Sequence, residues 1–493
     1  MSKKVVIIGA GMAGLSAGVY AVKCGFNVTI LESHSMAGGI VTSWKRNGYL
    51  FEGGLHWLAG SKEEMSLYKL WAHIGALNDS VKVSYAEPFI EYDYYGTPIR
   101  LYRDTDKTER HLTELSPKDA KEIKRFCNSI RKMKNLTMPL TDIKGVKVTK
   151  KSNPPISLLF AAISGGGLMK KYGHISRDEY AGRFTHEGIR EMIRALPGGE
   201  QGIPIFFLTM GALARGDGRF PEGGSLPFIG RIVKELTAHG GEIKLKTKAE
   251  RIIMEKGKAV GIIANGEKIP ADAVIIASDT MNIDEFFDVP LNSPWFGRMK
   301  KEIEPTTVTF VSLGINADLK HYPERPLVKL KSPLRINNNI YNSILLSNYA
   351  SDPHYSPNGK SVITLQLPGD TFDFWQKAKE ENRYNEEKQK IADAVIAILE
   401  EIMPETLEKV EVCDVATPLT YYRYCGSWRG SWMSAIKADL NTQPYPSMID
   451  GLNGVYLAGQ RLMPPGGIPP AAMSGRTAVQ HLCRDTGTLF VSE

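Results

Sequence analysis

Apolar positions along this chain fall into short β-branched runs separated by longer helical patterns, and the first set is complete within forty residues. Val5-Val6-Ile7-Ile8 is a continuous apolar run with the length of a strand buried on both faces. The apolar stretch from Met12 to Cys24 predicts a helix, and Phe26-Asn27-Val28-Thr29-Ile30-Leu31 predicts a second strand. Strand, helix and strand in that order make a parallel βαβ unit. Far downstream, Thr306–Leu313, Ser343–Leu346 and Ser361–Leu365 predict strands. Tyr384 to Glu401 predicts a charged amphipathic helix that packs through Ile391, Val395, Ile398 and Leu399. Near the end, Gly454–Gly459 predicts a short strand, and a Pro/Gly-rich turn from Met463 leads to a helix starting near Pro469-Pro470, where proline is favoured.

Gly9-Ala10-Gly11-Met12-Ala13-Gly14 links the first strand to its helix. Gly9 suits a tight turn, Gly11 lets backbone approach a pyrophosphate, and Gly14 lets helix and strand pack closely. The helix N-terminus offers N–H groups and partial positive charge to phosphates. Glu32, at the end of the second strand, stands where an acceptor for ribose hydroxyls is expected. This context predicts a dinucleotide-binding, Rossmann-type domain, and the following residues favour FAD over NAD. Gly38-Gly39 lets the chain pass close to the phosphates from the other side. Trp44 to His56 reads as a hairpin-like return ending in Gly53-Gly54, where backbone can lie against a flat ring. The helix near Pro469 can aim its dipole at negative charge on the N1/C2=O edge of a flavin.

With these motifs the chain resembles the phytoene desaturase, carotenoid isomerase and retinol saturase group of flavoproteins, within the amine-oxidase-like superfamily. The resemblance spans nearly the whole length. It rests on the glycine triplet with Glu32, on Gly38-Gly39, and on Gly48-Tyr49-x-Phe51-Glu52-x-Gly54. A middle block also matches, from Pro221-Glu222-Gly223-Gly224-Ser225 through Ala249-x-x-Ile252 to Ala271–Ser278. So does Leu457-Ala458-Gly459 followed by Pro465-Gly466-Gly467-Ile468-Pro469. It implies an α/β fold: an amine-oxidase-like FAD domain with an inserted α+β substrate domain. It also implies FAD contacts from Gly9, Gly11, Ala13, Gly14, Glu32, Ser33, Gly38, Gly39, Ile40, Gly54, Leu55 and His56. Backbone near Ala249 would serve the adenine, with Ala277, Ser278, Gly459, Gln460, Gly467, Ile468 and Pro469 completing the site toward the flavin and ribityl chain. Two positions depart from the group. Ile40 replaces a basic residue, and Gln460 replaces an acid.

The FAD domain is expected to be discontinuous, formed by 1–75, 218–285 and 452–493, with 76–217 and 286–451 as substrate domain. His56 is the candidate proton carrier, because it follows the Gly53-Gly54 pair and histidine titrates near neutrality. The aromatic cluster from Tyr421 to Trp432 suits an elongated apolar ligand or a flavin ring. The implied activity is FAD-dependent oxidation, reduction or isomerisation at C=C or C–C bonds of a long hydrophobic carotenoid-, retinoid- or isoprenoid-like molecule. Two alternatives are a flavin amine oxidase and a non-catalytic prenyl-binding chaperone of the GDP-dissociation-inhibitor type. The electron partner stays open, since no second nicotinamide-binding unit follows.

Composition changes this picture locally. The chain carries a net charge of +7, but residues 118–171 alone hold eleven lysines and two arginines against Asp119, Glu122 and Asp142. Within them lies an apolar stretch from Pro154 to Met169, too short to span a bilayer and flanked by lysine pairs. Residues 150–171 are therefore a candidate membrane-surface segment, with a buried basic-faced helix as the other reading. No nucleic-acid-binding module accompanies the charge. Five scattered cysteines without a C-x-x-C pair, and Met1-Ser2-Lys3-Lys4 leading directly into the first strand, suit a cytoplasmic protein without zinc or disulfides, peripheral at most on the inner membrane face.

Overall fold

The β-branched runs that open the chain become the centre of a parallel sheet. In the computed structural model, Lys4–Ile8 lies between Ala273–Ile276 and Asn27–Leu31, with Val455–Leu457 and Glu242–Lys244 at the two edges. All four pairings are parallel. Residues 5–8 are all buried, as expected for a strand covered on both faces. The structure describes every residue except 1, 137, 152–165, 169, 197–202, 292, 437–443 and 493. Most of the candidate membrane segment, 150–171, thus lies outside the described residues.

A second sheet has seven strands in the order Val410–Ala416, Val308–Ile315, Ser361–Pro368, Asn339–Asn348, Pro326–Ile336, Ile90–Tyr94 and Thr97–Leu101. Its pairings are antiparallel except the one between Pro326–Ile336 and Ile90–Tyr94. Residues from both long insertions therefore share one sheet. The expected strand Thr306–Leu313 is in fact two. Ile303–Thr306 pairs with Met433–Ile436, and after Thr307 the chain enters the large sheet as Val308–Ile315. Thr307 marks the change of sheet, its hydroxyl donating to the Gly369 carbonyl. The other predicted strands and the helix Tyr384–Ile402 form as read.

The two ends of the chain meet backbone to backbone. The first helix, Met12–Lys23, crosses the last, Ile468–Thr486, at Gly475. A Cβ at Gly475 would lie 2.3 Å from the Ala13 carbonyl oxygen and 2.8 Å from the Ala17 nitrogen. The Ser16 hydroxyl donates to the Ala472 carbonyl at 2.8 Å across the same contact. Gly14 plays the matching part below, since a Cβ there would sit 1.9 Å from the Gly9 carbonyl oxygen. Both helices can lie this close only because small residues occupy the crossing. Gly475→Ala is expected to destabilise the protein by about 1–3 kcal/mol through overpacking. Thermal melting checks this, and an unchanged midpoint would show that the helices separate freely.

Candidate active site

Both helix starts open on one cavity of about 2960 Å³. Gly11 caps the first helix without a side-chain hydrogen bond, and the first intrahelical bond runs from Leu15 N–H to the Gly11 carbonyl. The Met12 amide lies against Gly38 in a parallel bridge, and among the described residues those of Ala13 and Gly14 have no backbone acceptor. A Cβ at Gly11 would meet nothing within 4 Å, so this turn faces open space. Glu32 is buried beside it. Its Oε2 accepts from Ala10 N–H and its Oε1 from His34 N–H, both at 2.8 Å. These bonds fix the carboxylate at the strand end while the residue still lines the cavity. Gly38-Gly39 is joined to the first turn: Gly38 N–H donates to the Ala10 carbonyl at 2.9 Å, and a Cβ at Gly39 would come 3.2 Å from the Gly11 Cα.

Of the residues expected around FAD, Gly9, Gly11, Ala13, Glu32, Ser33, Gly38, Gly39, Ile40, Gly54, His56, Ala249, Ala277, Ser278, Gly459, Gln460, Gly467, Ile468 and Pro469 all line this one cavity. Gly14 and Leu55 do not. Gly14 is consumed by helix packing, and Leu55 is fully buried in the core under the parallel sheet. Gln460 lines the cavity, but its side chain turns inward to brace the loop. Its Oε1 accepts from Gly467 N–H at 2.7 Å and its Nε2 donates to the Trp432 carbonyl at 2.9 Å. The amide that replaces an acid is thus a structural clamp between the last helix and the aromatic segment. That helix also offers less than its start suggested. Pro469 and Pro470 carry no N–H, so Ile468 supplies the first-turn donor and the dipole supplies the rest.

His56 sits where the two halves of the cavity join. Its ring stacks on Phe310 at 5.4 Å and meets the edge of Trp432 at 5.7 Å. Both ring nitrogens are buried without a protein partner. The residue is held from both sides through its backbone. Glu52 accepts from the Gly54 and Leu55 amides at 2.9 and 3.0 Å, and the Arg325 guanidinium donates to the His56 carbonyl. Burial and the nearby Arg325 charge depress the imidazole to about 3. The expectation of a histidine titrating near neutrality is therefore corrected. His56 is a neutral imidazole whose ring borders the cavity while both of its nitrogens are buried.

Three other groups were not singled out from sequence. Glu52 is a buried hub that also accepts from Ser225 N–H, the Ser225 hydroxyl and the Tyr355 hydroxyl, tying the hairpin to the Pro221–Ser225 turn. The Gly48–Gly54 block carried this signal, but only as a motif. Arg461 and Asp279 form a buried bidentate pair with two 2.8 Å bonds. Arg461 reaches on to the hydroxyls of Ser431 and Ser434, both at 2.7 Å, and so pins the aromatic segment over the cavity. Arg325 comes from an irregular stretch before Pro326, where no pattern marked it. Elsewhere, Glu222, Asp352 and His354 bring ligand-type atoms within 4.8 Å, but the Asp352 carboxylate already accepts from Gly223 N–H and His354 N–H.

A glycine turn with free amides, a braced acid at the second strand and a second helix start across the cavity define a dinucleotide-dependent flavoprotein. The family described as flavin containing amine oxidoreductase matches residues 12–483, and the chain belongs to it. It is 24% identical to the chloroplastic prolycopene isomerase of Daucus carota, over 98% of this chain and 80% of the relative. It is also 24% identical to the all-trans-retinol 13,14-reductase of Danio rerio, over 93% of this chain and 82% of that one. Among solved structures, the cyclohexylamine oxidase of Brevibacterium oxydans shares the fold with a TM-score of 0.61 at 13% identity, covering 99% of this chain and all of its own. The enzyme is an FAD-dependent oxidoreductase, and the cavity fits the cofactor. The first helix start at Gly11 to Ala13 would take the pyrophosphate, Glu32 the ribose, the Ala249 strand the adenine and the Ile468 helix start the flavin edge.

Burial alone would raise the Asp279 carboxyl, but the Arg461 charge and the hydrogen bonds from Arg461, Trp428 and Met281 hold it below the usual range. The folded value lies under the unfolded one, so the pair stabilises the protein above about pH 4 and that contribution is lost as pH falls through the depressed value. Arg461→Met strands a buried carboxylate and is expected to cost about 3–5 kcal/mol at neutral pH. Melting curves across the acid range should show wild type losing its advantage over the variant as pH falls. Equal midpoints at neutral pH would contradict the role given to the pair.

Proposed function

We propose that the enzyme acts on C=C or C–C bonds of a long hydrophobic molecule of the isoprenoid, carotenoid or retinoid kind. The observation that carries this reading is the size and reach of the cavity. Its volume is several times the roughly 300–1,000 Å³ of an ordinary small-molecule site, and it continues past His56 to Ile344 and Leu345 of the seven-stranded sheet. Space remains for an elongated apolar substrate beside a dinucleotide. The relatives named for prolycopene and retinol support the same substrate class. An amine-oxidase reading fits less well, because Arg325 puts positive charge in the cavity wall next to His56. The prenyl-chaperone reading leaves the uncapped glycine turn and braced Glu32 without a purpose.

When bound, FAD supplies hydride acceptance or donation. The chain supplies the rest. Phe310 and Trp432 hold the His56 ring in one orientation, and the aromatic walls exclude water from the reacting carbons. The neutral imidazole brings no charge to the reacting end, and a proton it relays moves only in concert with the chemical step. The test is anaerobic bleaching or reoxidation of the bound flavin across polyenes, unsaturated fatty acids and amines. A polyene or other long unsaturated chain should change the flavin spectrum, whereas a response to amines alone would reverse the assignment. His56→Phe keeps the stacking and should retain flavin while losing at least about tenfold in turnover. Between about pH 5 and 8 no inflection should arise from His56, since it stays neutral throughout.

We also propose that residues 150–171 rest on an anionic membrane surface of the cytoplasm. The basic excess of 118–171 and the lysine pairs at 150–151 and 170–171 support it. No helix among the described residues is long and apolar enough to cross a membrane. Vesicles of anionic lipid should pellet the protein at low salt and release it at high salt. Absence of pelleting at any salt would remove the proposal.

A further inference from the structure

Four arginines lining the cavity are matched to carboxylates, and a fifth, the half-buried Arg325 beside His56, is not. Arg46 faces Asp414 at 3.0 Å, Arg194 faces Asp178 at 3.2 Å, Arg429 faces Asp373 at 2.7 Å and Arg461 faces Asp279 at 2.8 Å. Arg325 has no carboxylate within ion-pair reach among the described residues. Its one hydrogen bond goes to a neutral acceptor, the His56 carbonyl, and its remaining donors border the cavity. Glu324, its neighbour in sequence, is a poor counter-ion, because burial pushes that carboxyl up with Arg325 only opposing the shift. A largely desolvated guanidinium facing apolar walls is costly unless an anion completes it. Next to it, His56 presents two buried ring nitrogens, neither of them partnered by the protein. Two polar groups, a fixed cation and a neutral imidazole, thus stand side by side in the cavity wall.

We infer that the substrate is a long unsaturated carboxylic acid whose carboxylate binds Arg325, with the chain adjoining it laid along His56 toward the flavin. This rests on the oxidoreductase reading above and sharpens it from an apolar chain in general to one with an anionic head. Arginine is the suitable residue, because its planar fork meets a carboxylate through two parallel N–H bonds while a further N–H keeps the His56 backbone in place. A carboxylate held there also fixes the register of the chain, so that carbons near the head, rather than those near the middle, face the reacting edge. A symmetrical hydrocarbon polyene offers nothing to this end of the site.

The experiment compares matched acids and alcohols on the flavin-loaded enzyme: all-trans-retinoate against all-trans-retinol, and oleate against oleyl alcohol. Binding is read from tryptophan quenching and from perturbation of the flavin spectrum, neither of which needs turnover. Each acid should bind at least about tenfold more tightly than its alcohol, the range of a charge-assisted hydrogen-bond pair. Arg325→Gln should weaken the acids by the same factor and leave the alcohols unchanged, and Arg325→Lys should restore part of the preference. Equal affinity of acid and alcohol in wild type overturns the inference, as does a Gln variant that weakens both alike. If Arg325→Gln loses flavin, the wild-type comparison alone decides. Alcohols or hydrocarbons that bind and react while acids do not would sink the carboxylate assignment and leave the oxidoreductase reading standing. Failure of every long-chain ligand to bind the yellow enzyme would sink both.

Discussion

The close crossing of the first and last helices is the contact on which the site depends. Gly475 lies against the Ala13 carbonyl and Ala17 nitrogen, at separations where any side chain would force the helices apart. Because the two rods touch through backbone, their N-termini reach the same cavity, one at Gly11 and one at Gly467. Each terminus lacks a capping side chain, which leaves unsatisfied donors and partial positive charge. Isolated, such ends would be defects. Brought together around one volume, they become the two poles of a site for an extended, negatively charged cofactor, with Glu32 marking one end and Ile468 the other.

Buried polar groups then fasten the remaining walls to this frame. Glu52 holds the turn before His56 and the turn at Ser225 through five accepted hydrogen bonds. Arg461 joins Asp279, at the end of the parallel-sheet strand, to Ser431 and Ser434 on the aromatic segment. Gln460 clamps that segment again through the Trp432 carbonyl. Each of these groups is expensive to bury and would be more expensive to leave half-satisfied. Their return is positional: the Phe310–His56–Trp432 stack sits between the parallel sheet and the large sheet with little freedom to turn.

How much of this was legible depended on whether the signal was local. The βαβ unit was plain because strand period, glycine spacing and the acid at Glu32 all fall within thirty residues. The last helix was plain because Gly467-Ile468-Pro469 both begins it and permits close approach. Contacts of long sequence separation were not readable. Nothing local at Glu52 announces Tyr355, and nothing at Asp279 announces Arg461, since each partner lies more than 180 positions away. Gln460 lines the cavity as expected, and its long-range bond to the Trp432 carbonyl was not readable. Its bonds to Gly467 and Trp432 add a bracing task to its place at the cavity wall. The break at Thr307 was hidden because both halves of the run are β-branched, and only pairing with Met433–Ile436 separates them.

The electrostatics of the reacting end follow from one placement. Arg325 donates to the carbonyl of His56 and lies in the same low-dielectric wall, so it does two things at once. It fixes the histidine's backbone, and its charge adds to burial in keeping the imidazole unprotonated. A second cation in that wall would be repelled by the first, which weighs against an ammonium substrate whatever its shape. A neutral or anionic group is attracted. A neutral imidazole beside a fixed cation adds no charge of its own to the wall, so the field there is set by Arg325 and hardly by pH. The direction of hydride movement is then left to the cofactor and the substrate, while the chain dictates which carbon is presented and which sign of charge is tolerated next to it.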